Sequence, residues 1–349
     1  MKKKPPVLLI GNHLSASGFN PGVCESLAVR LSARGWHTLT TSDRPARLAR
    51  LCDMLATVWE LRHDYDVAHV DVYSGNAFFW AEAACRLVQA VGKPYVATLR
   101  GGNLARFARR WPRRVARLLG SATAVTTPSR FLYDCFRANC RDFQLIPNAV
   151  DVAAYHYRPR RHVSPRLVWV RAFHRIYQPE LAVAMLAELV RQFPAAQLTM
   201  AGPDKGDGSL AQARRVAERC GVAQHVAFRE AVPKRCLPEL LDSADIFLNT
   251  SRVDNTPVSV LEAMAAGMCI VSTNAGGLPY LLRNEHDALL TGCEHPEEMA
   301  VAVRRVLTER GLAGQLSRNA RRSVEPFDWP VVLPQWERLF LTIAEDNSA

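Results

Sequence analysis

One strand–helix–strand unit near the middle of the second half constrains the fold of this chain more than any other stretch. Residues 245–250 and 268–273 are apolar runs of strand length, and helix-compatible residues lie between them. Thr256 is expected at the N-cap of that helix, Pro257 at its first position and Gly267 just after its last turn. A strand, a helix and a strand in this order form a βαβ unit, which requires a parallel sheet.

Two carboxylates accompany the start of the predicted helix, Asp254 in the preceding loop and Glu262 inside the helix. The helix N-terminus of such a unit lies at the carboxyl edge of the sheet, where open α/β sheets bind ligands. Its unpaired N–H groups and its dipole attract a phosphate. Acceptors beside a phosphate site suit a nucleotide sugar, which has an anionic group and hydroxyls. The alternative is an ordinary capped helix with two solvated acids.

The spacing Asp254-x7-Glu262, the helix that ends at Gly267 and the turn Ser-Thr-Asn-Ala-Gly-Gly-Leu-Pro at 272–279 resemble the donor motif of retaining glycosyltransferases of family 4, or group 1. The first acid is usually Glu in that family and is the shorter Asp254 here. The resemblance implies two Rossmann-like, doubly wound parallel-sheet domains of GT-B type with a cleft between them. It also implies a nucleotide-diphosphate sugar as donor and neither a metal nor another cofactor.

The same alternation of apolar runs and helical stretches covers nearly the whole chain, and 349 residues suffice for two α/β domains. We expect an N-terminal acceptor domain at 1–150, a linker at 151–165 and a donor domain at 166–325. By resemblance, a C-terminal helix at 326–349 crosses back to the first domain, where its aromatic residues pack. The other predicted strands are 7–10, 38–41, 67–72, 95–98, 124–127, 144–146, 167–170, 197–202, 225–232 and 288–290.

Composition places the chain among ordinary globular proteins, with 48% hydrophobic and 22% charged residues. Nine cysteines occur without a CxxC pair, which favours reduced, mostly buried thiols of a cytosolic protein over a disulfide or zinc framework. The apolar run near the N-terminus covers only 7–10, so it predicts a core strand and not a signal peptide. No stretch has the length needed to span a bilayer. These features predict a cytoplasmic protein.

The net charge of +11 is concentrated in the first half. Residues 1–165 contain 24 Lys and Arg against 11 Asp and Glu, whereas the remainder contains 20 against 22. Six arginines between Arg106 and Arg117 face away from apolar residues at helical spacing, and Pro112 is expected to divide the stretch into two helices. Such a surface suits peripheral contact with the inner face of a membrane or a phosphorylated acceptor. The alternative is a packed helix with solvated arginines, and nucleic acid is disfavoured because no binding module accompanies the charge.

Two loops of the first domain are candidates for acceptor binding. The loop after the first strand contains Gly18, Asn20 and Gly22, and its glycines allow close approach to a ligand. The resemblance places that loop at the cleft. Arg100 and Gly101 follow the fourth strand, where family members often have His-Gly with the histidine near the transferred sugar. Arginine cannot act as a base, so Arg100 is expected to stabilise charge on a substrate or leaving group, or to pair with an acid across the cleft.

By resemblance, the donor residues lie in the second domain. Arg171 matches an arginine that holds the diphosphate, but Tyr177 occupies the position of the usual lysine and can donate only one hydrogen bond. The nucleotide base is expected against the backbone near Val232 and Lys234. Glu262 is expected to hold ribose hydroxyls and Asp254 sugar hydroxyls. The remaining donor-site candidates surround the helix N-terminus: Asn255, Thr256, Pro257 and Val258.

These features predict a retaining glycosyltransferase acting on a glycan, lipid-linked or small-molecule acceptor. In that chemistry the leaving diphosphate can take the acceptor proton, so the protein mainly orients substrates and stabilises charge. One alternative is a sugar-nucleotide epimerase or phosphorylase of the same fold. Another is a membrane-surface or scaffold protein that has lost catalysis, which the missing histidine and lysine favour.

Overall fold

The computed structural model describes residues 4–18, 20–140 and 142–347. The chain divides into two compact units. The first contains the chain up to Ala149 together with the segment from Trp329 onward, and the second is Val150–Asp328. Each unit is built on its own six-stranded parallel sheet.

The first unit has the strand order β2-β1-β3-β4-β5-β6. Its central strands are buried on both faces, as in a doubly wound sheet, which is why they are largely apolar. In β1, Val7 and Leu9 enter the core that contains α1, while Leu8 and Ile10 enter the core that contains α2 and α3. The elements are β1 Val7–Ile10, α1 Val23–Ala33, β2 Thr38–Thr41, α2 Arg47–Glu60, β3 Val67–Val72, α3 Asn76–Ala90, β4 Tyr95–Leu99, α4 Leu104–Arg110, α5 Pro112–Ser121, β5 Ala124–Thr127, α6 Arg130–Phe136 and β6 Phe143–Leu145.

The second unit has the strand order β12-β11-β10-β7-β8-β9. Successive strands move outward from β7 in one direction and from β10 in the other, so the order reverses between these two neighbours. Open α/β sheets bind ligands at such a reversal, beyond the carboxyl ends of the strands. The elements are β7 Arg166–Val170, α7 Pro179–Val190, β8 Gln197–Ala201, α8 Ser209–Arg219, β9 Val226–Arg229, α9 Leu237–Asp242, β10 Ile246–Asn249, α10 Val258–Ala265, β11 Cys269–Thr273, α11 Leu278–Leu281, β12 Leu289–Thr291, α12 Pro296–Thr308 and α13 Leu312–Val324.

The last helix, α14 Trp329–Asp346, belongs to the core of the first unit. Trp336 and Phe340 are buried there, as expected for packing residues. Helix α14 runs through Pro334 without ending there. Its first turn places the buried Trp329 in the same core, and this packing outweighs the backbone hydrogen bond that proline removes.

The predicted strands are all present, most of them within one residue of the expected bounds. The helix that follows β10 starts one residue later than expected: Pro257 is its N-cap and Val258 its first residue, so Thr256 is not the cap. Gly267, with φ +67°, follows the last turn as predicted. The division of the basic stretch at Pro112 is confirmed by α4 and α5.

The cysteines are free, but the expectation that most are buried is wrong. Cys24, Cys85 and Cys269 are buried, whereas Cys52, Cys135 and Cys220 are exposed. The exposed residues lie on or at the ends of surface helices, where a small apolar side chain does not require burial. That a residue is a cysteine therefore did not predict that it is buried in this chain.

Candidate functional site

The candidate site begins where β7 and β10 end, at the reversal of strand order in the second sheet. Arg171 directly follows β7, and Asp254 lies in the loop between β10 and α10. Arg171 donates a hydrogen bond from Nη2 to Oδ2 of Asp254 and forms an ion pair with it. The fold thus brings together two residues that are far apart in the sequence and that the donor motif predicts to act on one ligand.

Asp254 is held by fixed donors and is only 8% exposed. The hydroxyl of Ser251 donates to Oδ2 over 3.2 Å, and the backbone N–H of Asn255 donates to Oδ1 over 2.9 Å. Oδ1, which accepts only that one hydrogen bond in the described part of the chain, can accept a further one. Since Glu262 is also buried, at 3% exposure, the alternative of two solvated acids does not describe this site.

A pair of glycines after β11 supports the same loop. A Cβ atom at Gly276, where φ is +57°, would lie 2.3 Å from the carbonyl oxygen of Asp254. At Gly277 it would lie 2.0 Å from the carbonyl oxygen of Asn255. The N–H of Gly277 also donates to the carbonyl oxygen of Asp254 over 3.0 Å. The Gly-Gly turn therefore fixes the backbone that carries the first acid of the motif.

The N-terminus of α10 offers hydrogen-bond donors at the same edge. The first N–H groups of an α-helix have no acceptor within the helix, and here they begin with Val258. Pro257 has no N–H and therefore adds no backbone donor, and its contact with a bound donor stays a prediction. The hydroxyl of Ser259 is buried and has no hydrogen-bond partner in the part of the chain that the structure describes. The first turn can therefore donate from Val258 and Ser259.

Glu262 forms an ion pair through Oε1 with the ammonium group of Lys234. Lys234 begins the short 3-10 turn Lys234–Cys236 that follows β9, and burial lowers its pKa to about 8. Val232, expected near the nucleotide base, is partly buried against the core next to this turn. The sequence indicated the backbone of this segment but gave no signal that the lysine side chain would reach the second acid of the motif.

Tyr177 lies beneath Arg171. The guanidinium carbon is 4.4 Å from the ring centroid, which is a cation–π contact. Burial raises the pKa of the Tyr177 hydroxyl, so it is neutral at physiological pH. Tyr177 thus supports the arginine and does not supply a second cation.

In the first unit, Arg100 is engaged with an acid of its own unit. Its Nε donates to Oδ1 of Asp71 over 2.8 Å, and its Nη1 donates to Oδ1 of Asn148 over 2.6 Å. Arg100 is 9% exposed and Asp71 is 7% exposed. The acid that pairs with Arg100 in the structure is Asp71 of the same unit, whereas pairing across the cleft and action on a substrate both stay predictions.

The glycines predicted to face an acceptor have local conformational roles. A Cβ atom at Gly101 would lie 2.7 Å from the backbone nitrogen of Ser74, so the loops after β3 and β4 pack closely. Gly18 adopts φ +84° at the end of a 3-10 turn, and Gly22 is the N-cap of α1. Asn20 is exposed between them. This loop stays a prediction for acceptor binding.

A buried polar cluster lies beside Arg100, where the strand order of the first sheet reverses between β1 and β3. The Sγ of Cys24 is 3.7 Å from Nδ1 of His69, and Asp71 offers a carboxylate within 4.8 Å of their ligand atoms. Burial raises the pKa of the Cys24 thiol and lowers that of His69 to about 4. The three side chains have metal-ligand chemistry, but the guanidinium of Arg100 already neutralises Asp71. That positive charge opposes a metal cation at the same place.

Comparison with known families covers nearly the whole chain. The model described as "Glycosyltransferase Family 4" matches residues 7–154, and the model described as "Glycosyl transferases group 1" matches residues 160–323. A D-inositol 3-phosphate glycosyltransferase from Geodermatophilus obscurus is 26% identical over 332 residues, which are 86% of this chain and 73% of that protein. The protein of the same name from Rhodococcus jostii is 24% identical over 242 residues, so the match spans about half of that relative, 53%.

Solved structures share the architecture of both units. Sucrose-phosphate synthase from Thermosynechococcus elongatus superimposes with a TM-score of 0.82 at 17% identity, covering 97% of this chain and 99% of that one. HepE from Anabaena, solved in complex with UDP and glucose, has a TM-score of 0.76 at 16% identity and covers 97% and 100%. At these identities the likeness concerns the fold. The two family matches and this fold together show that the chain belongs to the group 1 glycosyltransferases of family 4 and has their GT-B fold.

Proposed function

We propose that the protein is a retaining glycosyltransferase whose donor is a nucleoside-diphosphate sugar bound at the carboxyl edge of the second sheet. The observation that carries this proposal is the convergence of Arg171, Asp254 and Glu262 beside the N-terminus of α10. A guanidinium and free backbone N–H groups suit a diphosphate, and buried carboxylates suit hydroxyl groups. HepE, which has the same fold, was solved with UDP and with UDP-glucose, and this supports a nucleotide sugar as the donor class.

Each group has one role in the proposed complex. Arg171 and the first N–H groups of α10 hold the diphosphate. Glu262 accepts hydrogen bonds from the ribose hydroxyls, and Asp254 accepts them from hydroxyls of the sugar. The backbone near Val232 lies against the base. Arg171 and the positive end of the dipole of α10 face the diphosphate, and the donor is proposed to bind without a metal ion.

The proposed reaction requires no side chain as a base. The acceptor hydroxyl oxygen forms a bond to the anomeric carbon as the bond from that carbon to the phosphate oxygen breaks. The acceptor proton moves to an oxygen of the departing diphosphate, on the same face of the sugar, so the anomeric configuration is retained. Arg171 and the dipole of α10 stabilise the charge that develops on the diphosphate.

The acceptor is proposed to be a glycan, a lipid-linked sugar or a small molecule that meets the basic first unit. Arg106, Arg109, Arg110, Arg113 and Arg117 are exposed along α4 and α5. Trp111, 38% exposed, lies among them. In contrast, Arg114 donates to Glu82 over 2.6 Å and 3.0 Å. Five exposed arginines beside an exposed indole suit peripheral contact with anionic lipid.

Lipid contact is measured directly by co-sedimentation with vesicles that contain about a third phosphatidylglycerol. Replacing the five exposed arginines by glutamine is expected to abolish binding, and replacing Arg114 alone is expected to leave it unchanged. Among the described residues, every helix is too short or too polar to cross a bilayer. Equal sedimentation of both variants and the parent protein would contradict the contact.

The donor assignment is tested by the melting temperature in the presence of a panel of nucleoside-diphosphate sugars. A ligand that binds only the native state increases the free energy of unfolding by about 2.7 kcal/mol at a hundredfold excess over Kd, and this raises the melting temperature. One or more donors are expected to do so, and Glu262→Ala combined with Arg171→Ala is expected to abolish the shift. Survival of the shift and of transfer in that double variant would show that the donor lies elsewhere.

Two further measurements separate the alternatives. Incubation with the donor alone is expected to leave it unchanged, whereas an epimerase would convert it without an acceptor. The anomeric proton coupling of the transfer product, measured by NMR, is expected to match that of the donor. An inverted product would contradict the retaining mechanism, and a protein that binds no donor would fit the scaffold alternative.

A further inference from the structure

We propose that Lys234 is a diphosphate-binding residue whose ammonium group neutralises Glu262 until a donor arrives. When the ribose hydroxyls occupy the carboxylate, the ammonium turns to the diphosphate. This inference rests on the proposed function and adds a residue from a different segment to the donor site.

The position of Lys234 in the sheet supports this role. The residue follows β9, an edge strand, whereas α10 follows β10, and β8 and β7 lie between those two strands. Adjacent strands are about 4.8 Å apart, so the strands before the two residues are separated by roughly 14 Å. Contact between Lys234 and Glu262 therefore requires the segment after β9 to fold over the carboxyl ends of β8 and β7. Arg171 follows β7, so this path leads over the predicted diphosphate position.

The ends of β7 and β8 are packed so closely that no side chain fills the space between them. A Cβ atom at Gly202, directly after β8, would lie 1.8 Å from the carbonyl oxygen of Arg171. The N–H of Arg171 donates to the carbonyl oxygen of Ala201 over 3.1 Å. The carboxyl ends of β7 and β8, over which the segment with Lys234 passes, are thus held together by backbone contacts.

The charges of the site indicate why a second cation is needed. Arg171 is paired with Asp254, and Lys234 is paired with Glu262, so these four side chains have no net charge. A nucleoside diphosphate brings about two or three negative charges, depending on pH. Hydrogen bonds from ribose hydroxyls can replace the ammonium at Glu262, as a carboxylate accepts several donors. Lys234 then has a free point charge on a flexible stem.

A purely structural role for Lys234 predicts a different ligand dependence. If the lysine only orients Glu262, its loss weakens the binding of a nucleoside and of the nucleoside diphosphate equally, because both contain the ribose. If it binds the diphosphate, removing the lysine weakens the binding of the nucleoside diphosphate and leaves the affinity for the nucleoside nearly unchanged. The ratio of the two affinities separates these roles.

The experiment is titration calorimetry at pH 7 with UDP, GDP, ADP, CDP and dTDP, followed by the nucleoside of the diphosphate that binds most tightly. The proteins are the parent chain, K234M, K234R and the control K93M. Lys93 lies in the first unit, where its ammonium is 5.5 Å from the ring of Tyr65, so K93M removes the same charge away from the donor site. K234R keeps the charge and shows whether a loss in K234M comes from the missing cation.

K234M is expected to weaken diphosphate binding about tenfold or more, as expected for a lost charged hydrogen bond, and nucleoside binding less than about twofold. K234R is expected to recover most of the affinity, and K93M to bind like the parent. Equal diphosphate affinity in K234M and the parent, or equal losses for diphosphate and nucleoside, would overturn the proposal. A parent chain that binds none of the five diphosphates would instead overturn the proposed function.

Discussion

The substitution Gly277→Ala displaces the loop between β10 and α10, here called the donor loop, without removing any side chain of the candidate site. The added Cβ would lie 2.0 Å from the carbonyl oxygen of Asn255, and Cβ contacts shorter than 3.0 Å are essentially never seen. The loop must therefore move by about 1 Å or more. Gly277 has φ −83° and ψ −7°, which alanine adopts without strain, so steric displacement is the sole cost.

The size of the effect follows from that displacement. Overpacking of this kind costs about 1–3 kcal/mol, and for a unit the size of Val150–Asp328 it lowers the melting temperature by roughly 2–12 °C. The moving backbone carries Asp254 and Asn255. A misplacement of about 1 Å in a positioning group can lower the rate about a hundredfold, so kcat/KM for transfer is expected to fall by about that factor.

The assay combines scanning fluorimetry with a transfer assay, and Gly120→Ala is the matched control. A Cβ atom at Gly120 meets no atom within 4 Å, and the residue lies inside α5. Alanine there is expected to stabilise the first unit by about 0.5–1 kcal/mol and to leave transfer unchanged. If Gly277→Ala melts like the parent and transfers at the same rate, the loop is not held by the glycine turn, and the reasoning fails.

Three further predictions concern single contacts. Asp71→Ala leaves the buried guanidinium of Arg100 without its carboxylate and is expected to cost about 3–5 kcal/mol in urea unfolding, with donor affinity unchanged; a stability equal to the parent's would show that Arg100 finds another acceptor. The ammonium of Lys234 is present below its pKa of about 8 and lost above it, so diphosphate affinity is expected to fall between pH 7 and 9 in the parent but not in K234R. Calorimetric affinities that depend on pH in the same way in both proteins would contradict this. Tyr177→Ala removes the ring beneath Arg171 and is expected to weaken diphosphate binding about twofold to thirtyfold, with Tyr177→Phe close to the parent; equal losses in both variants would assign the effect to the hydroxyl.

Much of the fold could be predicted from the sequence because its strands are buried on both faces. Val7–Ile10 has the predicted bounds, since a strand covered on both sides is mostly apolar, and Val67–Val72 has them although His69 and Asp71 interrupt its apolar run. The strand Val226–Arg229 is shorter than predicted, because an edge strand alternates between partly buried and exposed residues and its apolar pattern continues into the loop. Helix α13 was not predicted. Its buried face includes Ala313, Gly314 and Ser317, and such small residues give little apolar periodicity.

The candidate site could be predicted only where its residues share one local segment. Asp254, Glu262 and the Gly-Gly turn form one strand–helix–strand unit, so spacing alone was informative. Lys234 reaches Glu262 because β9 is an edge strand whose following segment folds back over the sheet, and strand order is not encoded in local spacing. The same limit applies to Arg100, whose partner Asp71 comes from the neighbouring strand β3.

The central claim is that the N-terminus of α10 and its two acids bind an activated sugar through the nucleotide. A crystal structure of the protein with the nucleoside diphosphate that binds most tightly tests this most directly. The account predicts ribose hydroxyls within hydrogen-bond distance of Glu262 and the diphosphate beside Arg171 and the N–H groups of Val258 and Ser259. A nucleotide bound elsewhere, with Glu262 still paired to Lys234, would contradict it.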